Sequence, residues 1–202
     1  LIGGLIIFQP DMGTSVVVVA TAVIVYFAAG GPVYLLGLIG GLLVVSAIVF
    51  IKIEPYRLQR FLVFLNPAKE ALGSAYHINQ ALLGIGVGGW LGLGFGQSRQ
   101  KYLYLPQAHT DSIFSIIGEE LGFLRASLVL VLFAALAWRG LRIAQRAPDN
   151  FSRLLATGIV SWFVIQAFVN IAAMTGLLPM TGVPLPFISY GGTSLVINLA
   201  AV

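Results

Sequence analysis

Cysteine is absent from this chain of 202 residues, and charged residues make up only 9% of it. The first absence excludes a disulfide framework and any thiolate metal site. The second excludes an ordinary water-facing domain, in which about a quarter of the residues are Asp, Glu, Lys or Arg. The few basic residues are scattered and no nucleic-acid motif accompanies them, so no case for nucleic-acid binding arises. Internal repeats and low-complexity tracts are missing as well. What fills the chain is apolar: 58% hydrophobic residues and a mean hydropathy of +0.97. The bilayer is the solvent such a composition fits. Leu1 opens the chain and an apolar run, Leu195–Val202, closes it, so the sequence reads as a piece of a longer protein.

A spanning helix needs roughly 20 mostly apolar residues. Ser15–Ala29, Val33–Ile51, Ile113–Trp138 and Leu154–Leu178 approach or meet that length, and Leu1–Phe8 and Leu195–Val202 read as cut spans. Backbone in lipid must satisfy its own hydrogen bonds, which makes these runs helices. The short alternating segments of a transmembrane β-barrel are not seen. The expectation is an all-α polytopic membrane protein, with residues 1–202 as one transmembrane domain. Five connections join the spans: Gln9–Thr14, Gly30–Pro32, Lys52–Asp111, Arg139–Arg153 and Pro179–Thr193. If each span crosses once, the first, third and fifth share one side. Arg139, Arg142, Arg146 and Arg153 crowd the short fourth connection, which the positive-inside rule places in the cytoplasm. Residues 52–111 then form a large extracytoplasmic loop.

That loop is more than a linker. Tyr56–Leu65 mixes Arg57, Gln59 and Arg60 with Leu58, Phe61, Leu62 and Phe64 at a spacing that suits an interfacial helix. Tyr76–Trp90 is apolar and glycine-rich, and reads as re-entrant or interfacial. Within it Gly84-x-Gly86-x-x-Gly89 matches the dinucleotide fingerprint, but no strand precedes it and no acidic ribose partner follows. Close packing or a flexible loop is the better account of those glycines. Gly37-x-x-x-Gly41 reads as a helix–helix contact.

The three connections on the loop's side hold nearly all the unusual polar residues. They contain Gln9-Pro10-Asp11-Met12-Gly13-Thr14, then Pro106-Gln107-Ala108-His109-Thr110-Asp111 with Gly118-Glu119-Glu120-Leu121-Gly122 following, then Gly182-Val183-Pro184-Leu185-Pro186-Phe187-Ile188-Ser189-Tyr190-Gly191-Gly192. An ionisable residue at membrane depth is a functional hypothesis by default. In this order the three motifs resemble those of the SEDS family (shape, elongation, division and sporulation), the glycan-strand polymerases of bacterial cell walls. The likeness runs over essentially the whole chain, which would be the second half of a ten-span protein.

The resemblance implies a peptidoglycan glycosyltransferase of the bacterial cytoplasmic membrane. It would polymerise lipid II, a disaccharide–peptide on undecaprenyl diphosphate, and work beside a class B penicillin-binding transpeptidase. It also implies that Asp111 is the essential aspartate, and Arg57, Arg60 and Lys101 fall where the family has basic residues. The chemistry agrees. An attacking hydroxyl needs a base within hydrogen-bond reach. Diphosphate is already a good leaving group, so positive charge serves it better than a second carboxylate acid. Candidate substrate contacts are Arg57, Arg60, Lys101, His109, Glu119, Glu120 and Ser189, with Lys69 and Arg99 as further cations. A divalent cation, Mg or Mn, is chemically reasonable at the diphosphate, although no ligand cluster calls for one. Plainer roles stand beside these. Asp111 and Asp11 sit where helix N-caps would, His109 fits a structural hydrogen-bonding partner, one of the two glutamates can bond a neighbouring span or Arg125, and the basic residues of Tyr56–Arg60 can bind anionic headgroups of the membrane lipids.

Several positions depart from the family's pattern: Gln107 replaces a usual glutamate, Ser112 a phenylalanine, His77 a glutamine and Arg125 a small residue. Tyr56–Phe61 and Gly176-Leu177-Leu178-Pro179 lean toward the division branch. Two rival readings remain: a flippase for the same lipid, dependent on charges deep in the spans, and a scaffold without chemistry.

Overall fold

The computed structural model describes residues 12–35, 37–42, 45, 64, 74–102, 105 and 108–202. Among them the elements are helices: α1 (Met12–Ala28), α2 (Ser74–Gly88), α3 (Ile113–Gln145), α4 (Asn150–Met174) and α5 (Gly192–Ala200). Residues 33–35 and 37–42 are helical as well. The span expected at Leu1–Phe8, the interfacial helix at Tyr56–Leu65 apart from Phe64, and Asp11, Arg57, Arg60, Lys69 and Gln107 lie outside the described residues. No strand occurs among the described residues, in keeping with the all-α expectation.

α3 and α4 are long and apolar enough to cross a membrane. α3 has 33 residues but is broken at Gly122, and its longer segment, Phe123–Gln145, is roughly 34 Å long at 1.5 Å per residue. That exceeds the roughly 30 Å hydrocarbon core of a bilayer, and it carries the arginine-rich end beyond the apolar run. The turn into α4 is fixed locally: Asp149 is extended, at φ −135° and ψ 161°, and its carboxylate accepts from the Ser152 N–H at 2.8 Å, a side-chain N-cap. α4 stops at Gly176, whose φ of +73° lets the Leu177 N–H reach Ala172 O at 2.8 Å and its own N–H reach Ala173 O at 3.2 Å. These are the two bonds of a Schellman cap.

Close approaches give the helix directions. On α1, Val17 packs with Val169, Val25 lies against Gly158, and Ala28 O accepts from Arg153, so α1 runs antiparallel to α4. The α1 start, the α3 start and the α4 end therefore share one end of the bundle. The arginine-rich turn and the α1 end share the other. This is the grouping of connections that the span count required. At Gly37 and Gly41, where a helix–helix contact is expected, a Cβ would meet nothing within 4 Å among the described residues.

α2 is the element on which Tyr76–Trp90 falls. It runs beside the first half of α3 in the same direction, with His77 at Ser112, Gly84 near Ser115, and Gly88 against Gly118 and Glu119. The chain then doubles back over residues 89–101 and returns to Asp111, a re-entrant course.

Candidate active site around Asp111

The α3 helix is broken where the returning chain meets it. Gly122 has φ 75° and ψ 175°, a region open essentially only to glycine. In an unbroken helix the Phe123 and Leu124 N–H groups would bond the Glu119 and Glu120 carbonyls. Here those four groups are separated and residues 89–94 occupy the gap. Phe123 N–H donates to Gly89 O at 2.8 Å and Leu124 N–H to Trp90 O at 3.3 Å, while Leu93 and Gly94 N–H donate to Glu119 and Glu120 O, each at 3.0 Å. A Cβ on Gly92 would lie 2.2 Å from Glu120 O, and one on Gly122 would lie 2.2 Å from Gly92 N. The close packing falls at Gly88, Gly92 and Gly122; of the fingerprint glycines, a Cβ on Gly84 would meet nothing nearer than 3.4 Å and one on Gly86 or Gly89 nothing within 4 Å, so the expected close packing is not seen at those three.

The two glutamates ahead of the break are buried, Glu119 at 2% and Glu120 at 8% exposure. Glu119 accepts from the Ser98 hydroxyl, from Arg99 N–H at 3.0 Å and from Gln100 N–H at 3.4 Å. Glu120 accepts from Gly96 N–H at 3.0 Å, from Ser98 N–H at 3.2 Å and from the Lys101 ammonium at 2.7 Å. Lys101 also donates to Gly96 O at 2.8 Å. The Glu120 carboxylate holds the Lys101 ammonium above the ordinary lysine pKa, against a smaller opposing effect of desolvation. These contacts engage the polar atoms of Lys101, Glu119 and Glu120, which the sequence names as candidate substrate contacts, with the returning segment. The expected Glu–Arg125 pairing is replaced, since Arg125 donates instead to Leu91 O at 3.4 Å.

Asp111 sits two turns nearer the bundle end, 5% exposed. The N-cap of α3 is the next residue, Ser112, which makes no side-chain cap bond. The Thr110 hydroxyl donates to its Oδ1 at 3.1 Å. Its main chain is stitched to the third motif. Asn170 on α4 donates through Nδ2 to both Asp111 O and Val183 O, each at 2.7 Å. The opposite amide orientation would turn Oδ1 toward two carbonyls, so the network fixes the assignment. Ser189 Oγ donates to Thr110 O at 2.5 Å and accepts from Leu185 N–H at 2.7 Å. Tyr190 N–H donates to His109 O at 2.8 Å, and Gln166 on α4 donates to Pro184 O at 3.0 Å. Gly182, at φ +70°, puts a virtual Cβ 3.8 Å from Asp111 Oδ2. The first motif joins from the other side, where a Cβ on Gly13 would lie 2.6 Å from Thr181 O.

The described parts of the three motifs therefore meet at one end, with Asp111 at the seam. Ser189 reaches that seam as a structural tie through its hydroxyl. His109 reaches it through its carbonyl, while its side chain is exposed. Two departures from the family's pattern meet as well: His77 Nε2 and Ser112 Oγ hydrogen-bond at 2.6 Å. Asn170 and Gln166 escaped the sequence reading. Their signal was present, two amides four residues apart on an otherwise apolar span, which places them on one helix face. Phe187 holds φ +64°, costly for a bulky residue, and its ring packs 4.9 Å from that of Phe163. Among the described residues no group of three His, Asp or Glu side chains converges to hold a metal ion. A mostly apolar cavity of about 510 Å³ opens between α1, α4 and α5, lined by residues such as Val25, Leu155, Trp162 and Ile197.

A bundle that is all-helical among its described residues, with three polar motifs at one end, is a narrow class. The profile of the FtsW/RodA/SpoVE family, described as "Cell cycle protein", matches residues 1–202, and the chain belongs to that family. It is 48% identical to stage V sporulation protein E of Bacillus subtilis over 98% of this chain and 54% of that protein. It is 45% identical to the probable peptidoglycan glycosyltransferase FtsW of Trichlorobacter lovleyi, over 98% and 52%. Among solved structures it resembles a chain of a peptidoglycan synthase complex that coordinates polymerization and crosslinking, with TM-score 0.79, 31% identity, and coverage of 99% of this chain and 56% of that one. It also resembles Rod shape determining protein RodA of Thermus thermophilus, with TM-score 0.63, 28% identity, and coverage of 99% and 50%. The chain thus spans about half the length of the curated relatives it matches.

Proposed function

We propose that this chain carries the reaction centre of a peptidoglycan glycosyltransferase that polymerises lipid II at the outer face of the bacterial cytoplasmic membrane. The observation that carries the reading is the convergence of the three motifs on a buried Asp111, at the bundle end opposite the arginine-rich turn. Asp111 acts as general base. It takes the proton of an acceptor sugar hydroxyl as that oxygen attacks the anomeric carbon of the lipid-linked donor. The bond from that carbon to the diphosphate oxygen breaks, undecaprenyl diphosphate leaves with the electron pair, and the anomeric configuration inverts.

Cations stabilise the leaving diphosphate. Lys101 is engaged by Glu120, so that task falls to Arg57 and Arg60, with exposed Arg99 as a further candidate. Ser189 and His109 shape the pocket through Thr110 and Tyr190. A bound Mg or Mn would add charge neutralisation at the diphosphate, but Asp111 by itself is too small a donor set to hold one, and no cluster of His, Asp or Glu among the described residues supplements it. A class B penicillin-binding transpeptidase is the partner that would crosslink the product.

The flippase reading needs ionisable groups available along the spans. Glu119 and Glu120 are the pair it would use, and their oxygens are occupied by the 96–101 segment, which weighs against it. The test is purified full-length protein with its transpeptidase and labelled lipid II, comparing wild type with Asp111→Asn. Long glycan strands from the wild type alone support the reading. Equal polymer from both removes Asp111 from the base role.

A further inference from the structure

The pair of buried carboxylates that precedes the α3 break has a task beyond its own position. We infer that Glu119 and Glu120 are positioning residues for Asp111, acting through residues 96–101, and that they do not contact the substrate. The inference rests on the reading of Asp111 as base.

Three observations carry it. First, all four carboxylate oxygens already accept hydrogen bonds, and four of the donors are main-chain N–H groups, those of Gly96, Ser98, Arg99 and Gln100. Such donors cannot swing away to a ligand as side chains do. Second, the pair brings two acidic groups with one cationic partner, Lys101, among the described residues. A site with surplus negative charge repels a diphosphate instead of binding it. Third, the clamp closes on the helix that begins beside Asp111. The 96–101 segment continues through Leu105 and Ala108, which pack in one core cluster with Phe114 and Leu185, and then enters Asp111. One end of this stretch is fixed by Glu119 and Glu120, and the other by Asn170 and Ser189. Releasing the clamp frees the upstream end and lets the carboxylate of Asp111 drift from its attack position.

A displacement near 1 Å costs on the order of 100-fold in rate when a reacting group is held for attack. Glu119→Gln and Glu120→Gln each replace an acceptor oxygen by an amide N–H₂ facing N–H or O–H donors. In the full-length protein with its transpeptidase, each is expected to lower kcat by roughly 10- to 100-fold and to leave KM for lipid II within about threefold. Hydrogen exchange at the amides of Gly96, Ser98, Arg99 and Gln100 should accelerate in the same variants. Lys101→Met removes one donor and keeps the four amides, so its effect should be smaller and not additive with Glu120→Gln. Lys101→Met also serves as the readout should either glutamate variant fail to fold.

Unchanged amide protection together with a KM increase and an intact kcat would overturn the inference and return the glutamates to substrate contact. A large KM increase in Lys101→Met would do the same for Lys101. Asp111→Asn separates the two readings. It should abolish polymer while leaving amide exchange at 96–100 as in the wild type. If Asp111→Asn polymerises normally, the base assignment fails, and the exchange data still decide whether the clamp exists.

Discussion

Replacing Asn170 by leucine is the sharpest single perturbation of the proposed site. The side chain is 1% exposed, and its one N–H₂ group serves two carbonyls that belong to different motifs, Asp111 O and Val183 O. Leucine has similar size and suits a spanning helix, so α4 itself should be undisturbed. The loss is confined to the two acceptors. A buried carbonyl left without its donor costs about 1–3 kcal/mol, so two cost roughly 2–6 kcal/mol, a large share of a marginal total stability near 5–15 kcal/mol. Gln166→Leu makes an internal standard. Gln166 donates to one carbonyl, Pro184 O, and should cost about half as much. The assay is thermal unfolding of both variants in detergent, paired with lipid II polymerisation. Asn170→Leu should unfold well below Gln166→Leu and lose most activity, because the seam beside Asp111 opens. If Asn170→Leu melts with the wild type and polymerises normally, the seam does not hold the site.

Three further outcomes follow from the same structure. Gly122→Ala should destabilise by at least about 1–3 kcal/mol from backbone strain alone, with a further penalty from a Cβ 2.2 Å from Gly92 N; Gly86→Ala, where a Cβ meets nothing within 4 Å, should be neutral or stabilising, and thermal unfolding compares them. His77→Ala and Ser112→Ala should be non-additive by about 0.5–1.5 kcal/mol in a double-mutant cycle, because each removes the same hydrogen bond; strict additivity would deny the pairing. Asp149→Ala should lower the melting temperature near neutral pH and not in strong acid. The Ser152 N–H and then its hydroxyl depress the Asp149 pKa, so this cap is fully present above the ordinary carboxylate range and is lost as pH falls through the lowered folded value. Melting curves at several pH values should show the two proteins converging in acid.

The helices were legible because lipid leaves little choice: apolar runs of spanning length become helices, and α1, α3 and α4 fall on three of the runs named from hydropathy. The shared end of the motifs was legible from the number of crossings alone. Two things were not. The break in α3 depends on Gly122 adopting a backbone conformation that its neighbours do not announce, and Gly122 lies inside a run that reads as one continuous span. The role of Glu119 and Glu120 was hidden for a related reason. Their partners are mostly main-chain N–H groups, which every residue carries and no residue type betrays. Sequence reasoning pairs side chains with side chains, and so it looked to Arg125. Asn170 and Gln166 were visible as polar residues on an apolar face, but their partners are carbonyls contributed by loops that no periodicity locates.

The broken helix also explains why the returning segment must be held so thoroughly. Irregular backbone beside a spanning helix is tolerated only where protein satisfies its polar groups. Opening α3 at Gly122 exposes two N–H and two C=O groups, and residues 89–94 bring two C=O and two N–H groups to match. If the segment withdrew, α3 could recover two bonds by closing on itself, while four groups of the segment would be stranded. The Glu119 and Glu120 side chains add six hydrogen bonds from residues just beyond that insertion, and so bias the structure against withdrawal. A chain that used these carboxylates to carry a charged headgroup across the bilayer would break these bonds in each cycle. A polymerase that needs a still aspartate at one surface has reason to keep them.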